Sequence, residues 1–376
     1  MLNVTGDVSP GFGPVADAFK NNFDKHGDIG AACAVVIDGN TVVDLFAGNA
    51  RPNTPWTRDT RSVVFSVSKG ISAICLLMAS ERDYLDLDLP VARYWPEFAA
   101  HGKNRITVRQ LLAHRAGLVY PAITLTPEDI RNWTPAVDAL AAQAPQWAPN
   151  EKYAYHPLTM GFLAGEVLRR TTGKKPSEWL AAHISEPLGL TMTYGGDGES
   201  PDFAPILPPS VGKTAPAPIP PELQVVAQKA MTMSGAYDSD FFSGANGEVF
   251  LGSESPAVNL VASARDLARL YAATVSDIDG TRLLRDDSIN QATKPLSEGQ
   301  PVYWPDEGNI WGTGFMLHSQ RRRMAGPGSF GHDGAGGQLA FANPKHRLGF
   351  AYQTIHAGNQ NDPRAELLSQ ALLTCL

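Results

Sequence analysis

The sequence predicts an α+β fold: an antiparallel sheet flanked by helices from both ends of the chain, with a mainly helical domain inserted between them. Three observations point there. Strand-like runs gather at the two termini, spaced apolar residues of helical period fill the middle, and 376 residues with 43% hydrophobic content suffice for a large core in two structural units.

Val15–His26 has helical periodicity and stops at Gly27, after which Ala31–Ile37, a turn at Asp38-Gly39-Asn40 and Thr41–Phe46 read as a β-hairpin. Helical spacing follows over Val108–Ala113, Pro135–Ala142, Thr159–Arg170, Pro176–His183 and Ser263–Thr274. Pro201–Pro221 holds too much proline for a helix or a central strand, which predicts an extended excursion over the surface. Gly312–His318, Gln338–Ala342 and Arg347–Thr354 read as strands and Arg364–Leu373 as a closing helix. Strands from both termini are expected to share one sheet, giving a domain of residues 1–85 with 285–376 and a mainly helical domain of residues 86–284.

A net charge of −7 argues against nucleic acid as a partner, and the short Arg321-Arg322-Arg323 run reads as a solvated loop. Met1–Asp7 has neither a basic start nor an apolar stretch, so no secretory signal is seen and the cytoplasm is the expected location. A membrane partner is not expected, because the nearest apolar run, Ile71–Ala79, falls well short of the roughly 18 to 20 residues a spanning helix requires. Cys33, Cys75 and Cys375 are odd in number and lie in apolar surroundings, as small core residues of a reducing compartment do.

Chemistry enters with Ser66-Val67-Ser68-Lys69. Positions three apart on a helix share a face, so the Lys69 amine can reach the Ser66 oxygen. A serine hydroxyl needs a base to attack a carbonyl, and a lysine whose ammonium form is disfavoured by burial can supply one. Val63-Val64-Phe65 before the motif and Gly70 to Met78 after it are too apolar for a solvated helix, so Ser66 is expected at the start of a buried one, where free N–H groups favour negative charge. Tyr155, just before the helix near Thr159, could relay protons beside a lysine or simply pack. The run Gly331-His332-Asp333-Gly334-Ala335-Gly336-Gly337, leading into the Gln338 strand, could offer N–H groups to an oxyanion or be a plain turn at the start of that strand.

Taken together, Ser66-Val67-Ser68-Lys69, Tyr155-His156-Pro157 and His332-Asp333-Gly334 resemble the three active-site motifs of the serine β-lactamase and penicillin-binding-protein superfamily, in its class C-like branch with the family VIII carboxylesterases. Leu111–Leu118, Glu186–Leu190, Pro256–Asn259 and Ser263–Leu270 are similar to further stretches of that family, so the resemblance spans nearly the whole chain. It implies a β-lactamase-like fold with the site between sheet and helical domain. It also implies acylation of Ser66 with Lys69 and Tyr155 as coupled proton acceptors, and an oxyanion hole formed by the N–H groups of Ser66 and Ala335. His332, Gly334, Asp333, Pro157 and Asn259 are expected to border the substrate, Asp333 facing solvent or a neighbouring backbone donor.

Two departures bear on the substrate. Class C lactamases carry an asparagine where this chain has Pro157, and a lysine where it has His332, which is largely neutral near pH 7. Both changes favour a neutral small-molecule ester over a β-lactam. His114 and His156 read as satisfied structural histidines, and no metal or organic cofactor is implied. The expected activity is that of a serine carboxylesterase. The alternatives are an acyltransferase, an amide hydrolase or a weak β-lactamase on the same scaffold, or an inactive ligand-binding homologue.

Overall fold

Gly27 and the Asp38-Gly39 pair set the first third of the fold. In the computed structural model, which describes residues 2–196, 198–209, 220–303, 308–359 and 362–376, strand β1 (Val4–Val8) precedes helix α1 (Gly13–His26). The helix ends where Gly27 takes φ +79° and its N–H bonds the Asn22 carbonyl. Strands β2 (Gly30–Ile37) and β3 (Asn40–Arg51) follow, joined by Asp38 at φ +48° and Gly39 at φ +81°, the double left-handed turn that suits a two-residue hairpin. A two-residue strand β4 (Thr54–Pro55) folds back on β3. Three short strands, β5 (Ser62–Val63), β6 (Thr193–Tyr194) and β7 (Leu260–Ala262), make a small second sheet in the order β5-β7-β6.

The C-terminal third supplies β8 (Ile310–Trp311), β9 (Met316–Leu317), β10 (Phe330–Gly334), β11 (Gln338–Asn343) and β12 (Leu348–Thr354). The large sheet runs β1-β3-β2-β12-β11-β10-β9-β8 and is antiparallel throughout. Its seam is β2 against β12, with Ala34 opposite Ala351, so the two ends of the chain do share one sheet. Alternation along β2 sends Ala31, Cys33 and Val35 to one layer and Ala32, Ala34 and Val36 to the other. The first layer packs under α1 and the closing helix, Arg364–Leu373, through Phe19, Phe341, Phe350 and Leu368. On that second face helix α2 (Val67–Glu81), buried from Val67 to Ala79, packs against β10 and β11. Each large apolar side chain so covered contributes roughly 1.5–3 kcal/mol.

Helix α3 (Thr159–Thr172) packs on α2 within the mainly helical middle of the chain. Helix α4 (Ala264–Val275) departs from the expected layout. It carries the predicted periodicity but lies on the sheet, against β12, β2 and β11. Gly349 permits this: a Cβ there would meet the Ala268 carbonyl oxygen at 2.1 Å. The closing helix becomes α5 (Arg364–Leu373).

Other differences have local causes. β1 escaped notice because its three central residues are exposed and give no apolar alternation. Gly312–His318 is not one strand: the Gly312 N–H bonds the Phe315 carbonyl and Gly314 sits at φ +77°, reversing the chain into the β8–β9 hairpin. The glycine run at 331–337 is half strand, since Gly331–Gly334 belongs to β10 and only the last three residues turn. Residues 210–219 of the proline-rich excursion lie outside the described residues. Its earlier part is extended but not superficial, with Phe203, Ala204 and Ile206 buried and bridges from Phe203 to Arg61 and Leu207 to His356.

Candidate active site

Ser66 stands at the bend between β5 and α2. Phe65 makes that bend at φ +46°, an uncommon conformation for a bulky residue. Its ring is held by Phe241 at 5.2 Å and Phe242 at 5.7 Å between centroids. Ser68 fastens the bend from below: its hydroxyl donates to the Phe65 carbonyl and accepts from the Leu260 N–H at 3.0 Å. Ser66 is left half-buried at the helix N-terminus, its hydroxyl making no capping bond.

Lys69 is one turn along and fully buried. Its Nζ lies 3.1 Å from Ser66 Oγ and donates to the carbonyls of Pro157 at 2.6 Å and Ala257 at 2.9 Å. Burial pushes the amine well below the ordinary lysine range, with Asp333 pulling partly the other way. A neutral amine has two N–H groups and one lone pair. The two carbonyls take the N–H groups, and the lone pair is left facing the Ser66 hydroxyl, the arrangement a general base requires.

Tyr155 comes from the loop before α3, and its hydroxyl is 2.8 Å from Ser66 Oγ. Trp311 stacks on its ring at 5.1 Å, His114 meets it edge-on at 4.9 Å, and Lys69 Nζ sits 4.8 Å from its centroid. Behind it, His156 donates through Nδ1 to the Ala154 carbonyl and accepts at Nε2 from the Leu118 N–H, while His114 Nδ1 accepts from the His156 N–H. His156 is therefore satisfied at both ring nitrogens in its neutral form, and His114 accepts through Nδ1.

Burial lowers the affinity of these imidazoles for protons, His156 to about 4 and His114 and His332 in the same direction. A folded pKa below the unfolded 6.5 means that the unfolded chain takes up protons first, so stability falls as pH drops below about 6.5. For His156 alone the effect is on the order of 3 kcal/mol by pH 4. The melting temperature is expected to decline across that window, less steeply in His156→Asn, which cannot titrate. Identical slopes for the two proteins would refute the assignment. Asp44, Glu254 and Asp266, raised by burial, act in the opposite sense, which is why the comparison with the variant carries the test.

The third wall is the edge of β10. On the side away from β11, β10 pairs with β9 only at Phe330 and Gly331, so among the described residues that edge from His332 to Ala335 has no strand partner. The Gly334 carbonyl accepts from the Gly337 N–H at 3.2 Å. In a planar trans peptide the N–H points opposite to the carbonyl, so the Ala335 N–H faces the open edge. Among the described residues neither the Ser66 nor the Ala335 N–H donates to a protein acceptor. Gly334 lies against the Ser66 bend: a Cβ there would come within 2.5 Å of the Val64 carbonyl oxygen. Gln338 ties the two arms, its Nε2 donating to Val63 O at 3.1 Å and Thr354 O at 3.0 Å.

The structure brings together Ser66, Lys69, Tyr155, His332, Gly334 and Ala335 and redraws three others. Asp333 is only partly exposed: it pairs with Arg322 and lies 3.4 Å from His332 Nδ1. Burial alone would raise its pKa, but Arg322 and His332 hold it below the usual carboxylate range. Arg322 is accordingly no freely solvated residue. Pro157 is buried, and its carbonyl is what reaches the site, at Lys69. Asn259 borders no substrate: it is fully buried, with its amide bonded to Phe250 O, Ser253 O and Ser255 N. Sequence reasoning missed Trp311, Phe241, Phe242 and Gln338 as neighbours of the site, and no spacing signal marked them. Among the described residues no group of three or more His, Cys, Asp or Glu could hold a metal ion, and no helix is long and apolar enough to cross a membrane.

A family profile described as Beta-lactamase matches residues 15–373. The chain is 33% identical over 373 residues to the Mycobacterium tuberculosis (strain ATCC 25618 / H37Rv) protein named Esterase/beta-lactamase LipL, across 94% of this chain and 82% of that one. A solved structure described as a family VIII carboxylesterase superposes with a TM-score of 0.88 at 30% identity, covering 100% of both chains. A penicillin-binding protein homologue from Caulobacter crescentus gives 0.87 at 33% identity, also over 100% of each. Esterase and penicillin-binding names occur side by side, so likeness alone does not select the substrate.

Proposed function

We propose, since the chain belongs to the β-lactamase family and is a serine hydrolase of that fold, that it is a carboxylesterase acting on small to medium neutral esters through an acyl-Ser66 intermediate. The observation that carries the reading is the double contact on Ser66 Oγ, from a fully buried Lys69 amine at 3.1 Å and from the Tyr155 hydroxyl at 2.8 Å. Ser66 Oγ attacks the ester carbonyl carbon while its proton passes to the Lys69/Tyr155 pair, and the N–H groups of Ser66 and Ala335 receive the negative oxygen. As the carbon–oxygen bond to the alcohol breaks, the leaving oxygen takes that proton. Water then adds to the acyl carbon, losing a proton to the same pair, and the acid departs as Ser66 recovers its hydrogen.

Preference for an uncharged ester rests on His332. Burial keeps it neutral, and its Nδ1 hydrogen is engaged with the Asp333 carbonyl at 2.7 Å, so it offers no positive charge to a substrate carboxylate. The partly exposed rings of Phe241 and Phe242, packed on Phe65 beside the Ser66 bend, add apolar surface.

The test is covalent. A fluorophosphonate is expected to add its phosphonyl mass to the peptide containing Ser66, and p-nitrophenyl butyrate to be turned over in preference to nitrocefin. Absence of the adduct would overturn the nucleophile. Nitrocefin hydrolysis comparable with ester hydrolysis would overturn the substrate class and leave the nucleophile standing.

A further inference from the structure

The turn after β10 consists of Ala335, Gly336 and Gly337, with φ +89° at Gly336 and +106° at Gly337. Two glycines in a three-residue turn give the backbone freedom to rotate the Gly334–Ala335 peptide, whose N–H is the second oxyanion donor in the reading above. That freedom is removed from behind. The Gly336 carbonyl accepts two hydrogen bonds, from the Gly358 N–H at 2.9 Å and from Arg364 Nη2 at 3.0 Å. Arg364 is 2% exposed and opens α5. The same Nη2 donates to the His356 carbonyl at 2.8 Å, Nε meets Asp362 at 2.9 Å, and Nη1 pairs with Asp28. Asp28 is fixed in turn by the hydroxyls of Tyr352 at 2.6 Å and Thr354 at 2.8 Å.

We infer that Arg364 is a positioning residue for the oxyanion hole, clamping the Gly336 carbonyl so that the Ala335 N–H points at the developing oxyanion. The inference rests on the reading of Ala335 as an oxyanion donor. Three features favour positioning over simple cohesion. A buried ion network adds little net stability over apolar packing of the same volume, while it does fix geometry through directed hydrogen bonds. The turn is pressed onto this network, since a Cβ at Gly337 would meet Asp362 Oδ2 at 2.3 Å and Arg364 Nη2 at 3.2 Å. Finally, only a planar guanidinium with five donors can hold two carboxylates and two carbonyls at once; an ammonium has three hydrogens and no fork.

The experiment compares an oxygen ester with the matching thionoester, whose sulfur accepts hydrogen bonds poorly. Rates are normalised to enzyme active sites by single-turnover titration, so a partly unfolded preparation does not distort them. Wild type is expected to favour the oxygen ester strongly. Arg364→Lys is expected to lower kcat for the oxygen ester by about 10- to 100-fold, less than the roughly 100- to 1000-fold loss for removing an oxyanion donor outright, with KM within about twofold. The thionoester should lose far less, so the oxygen-to-sulfur ratio falls about tenfold. An equal loss on both substrates would make Arg364 merely structural and overturn the inference. A wild-type enzyme without preference for the oxygen ester would overturn the oxyanion-hole reading itself, a separate failure. Should Arg364→Lys not fold, Asp362→Asn removes the carboxylate that orients Nη2 while keeping the guanidinium, and an unchanged ratio there would equally refute the clamp.

Discussion

Ser66→Ala is expected to abolish ester turnover, a loss of more than about 10,000-fold in kcat, while leaving the melting temperature within a few degrees of wild type. The size of the effect follows from what surrounds the position. Ser68 is the other serine of the motif, but it is fully buried, donates to the Phe65 carbonyl and accepts from the Leu260 N–H, so it cannot substitute as nucleophile. The Tyr155 hydroxyl and the Lys69 amine lose the atom they converge on and gain nothing to acylate. The small effect on stability follows from Ser66 being half-buried, with a hydroxyl that caps no helix N–H, so truncation removes little packing and takes one partner each from the half-buried Tyr155 hydroxyl and the Lys69 lone pair. Initial rates with p-nitrophenyl butyrate and a thermal melt check both halves. Turnover in the variant above a tenth of the wild-type rate would remove Ser66 from the chemistry.

What could be seen of this site in the sequence was the part carried by local spacing. Ser66 and Lys69 lie three apart, and the apolar flanks place them on a buried helix, so their contact follows from helical geometry alone. Tyr155 and Ala335 sit far along the chain: the packing of α3 on α2 brings the Tyr155 loop to Ser66, and the strand order β2-β12-β11-β10, with β10 lying against α2, brings the edge that carries Ala335. Main-chain contributions were harder to see. Pro157 and Ala257 both act on Lys69 through carbonyl oxygens, which residue identity does not advertise, so Pro157 read as a missing amide and Asn259, two residues past Ala257, as a substrate contact. Charge pairing across elements was invisible for the same reason. Arg322 sat in a basic run and Arg364 at a helix start, and only the fold sets them against Asp333 and the Gly336 carbonyl. Glycine misled once in each direction: it broke the strand expected at Gly312–His318 and was accommodated inside β10.

Lys69→Met separates catalysis from stability more sharply than any other change. The methionine fills a similar volume without an amine to desolvate, which favours the fold, while the Pro157 and Ala257 carbonyls lose their donor, which opposes it; the two effects are of similar size, about 1–3 kcal/mol, and partly cancel. Catalysis has no such compensation. Without the amine lone pair the Ser66 proton has only Tyr155 to receive it, and kcat/KM is expected to fall by about 100- to 10,000-fold, the usual worth of a general base. The pH profile identifies the base. In wild type the rate should rise with pH as Lys69, held far below the ordinary lysine range by burial, loses its proton. Asp333 works against that lowering, and the neighbouring imidazoles of His114, His156 and His332 are held below 6.5, so a limb above about pH 6.5 does not come from them. That limb should vanish in Lys69→Met and persist at reduced height in Tyr155→Phe. Lys69→Arg completes the comparison: a guanidinium does not deprotonate in this range, so this variant should be as inactive as Lys69→Met and, with an obligatory charge in a fully buried position, less stable. A Lys69→Met enzyme within tenfold of wild type, with the limb intact, would assign the proton transfer to Tyr155 and leave Lys69 a structural tie between α2 and the Pro157 and Ala257 loops.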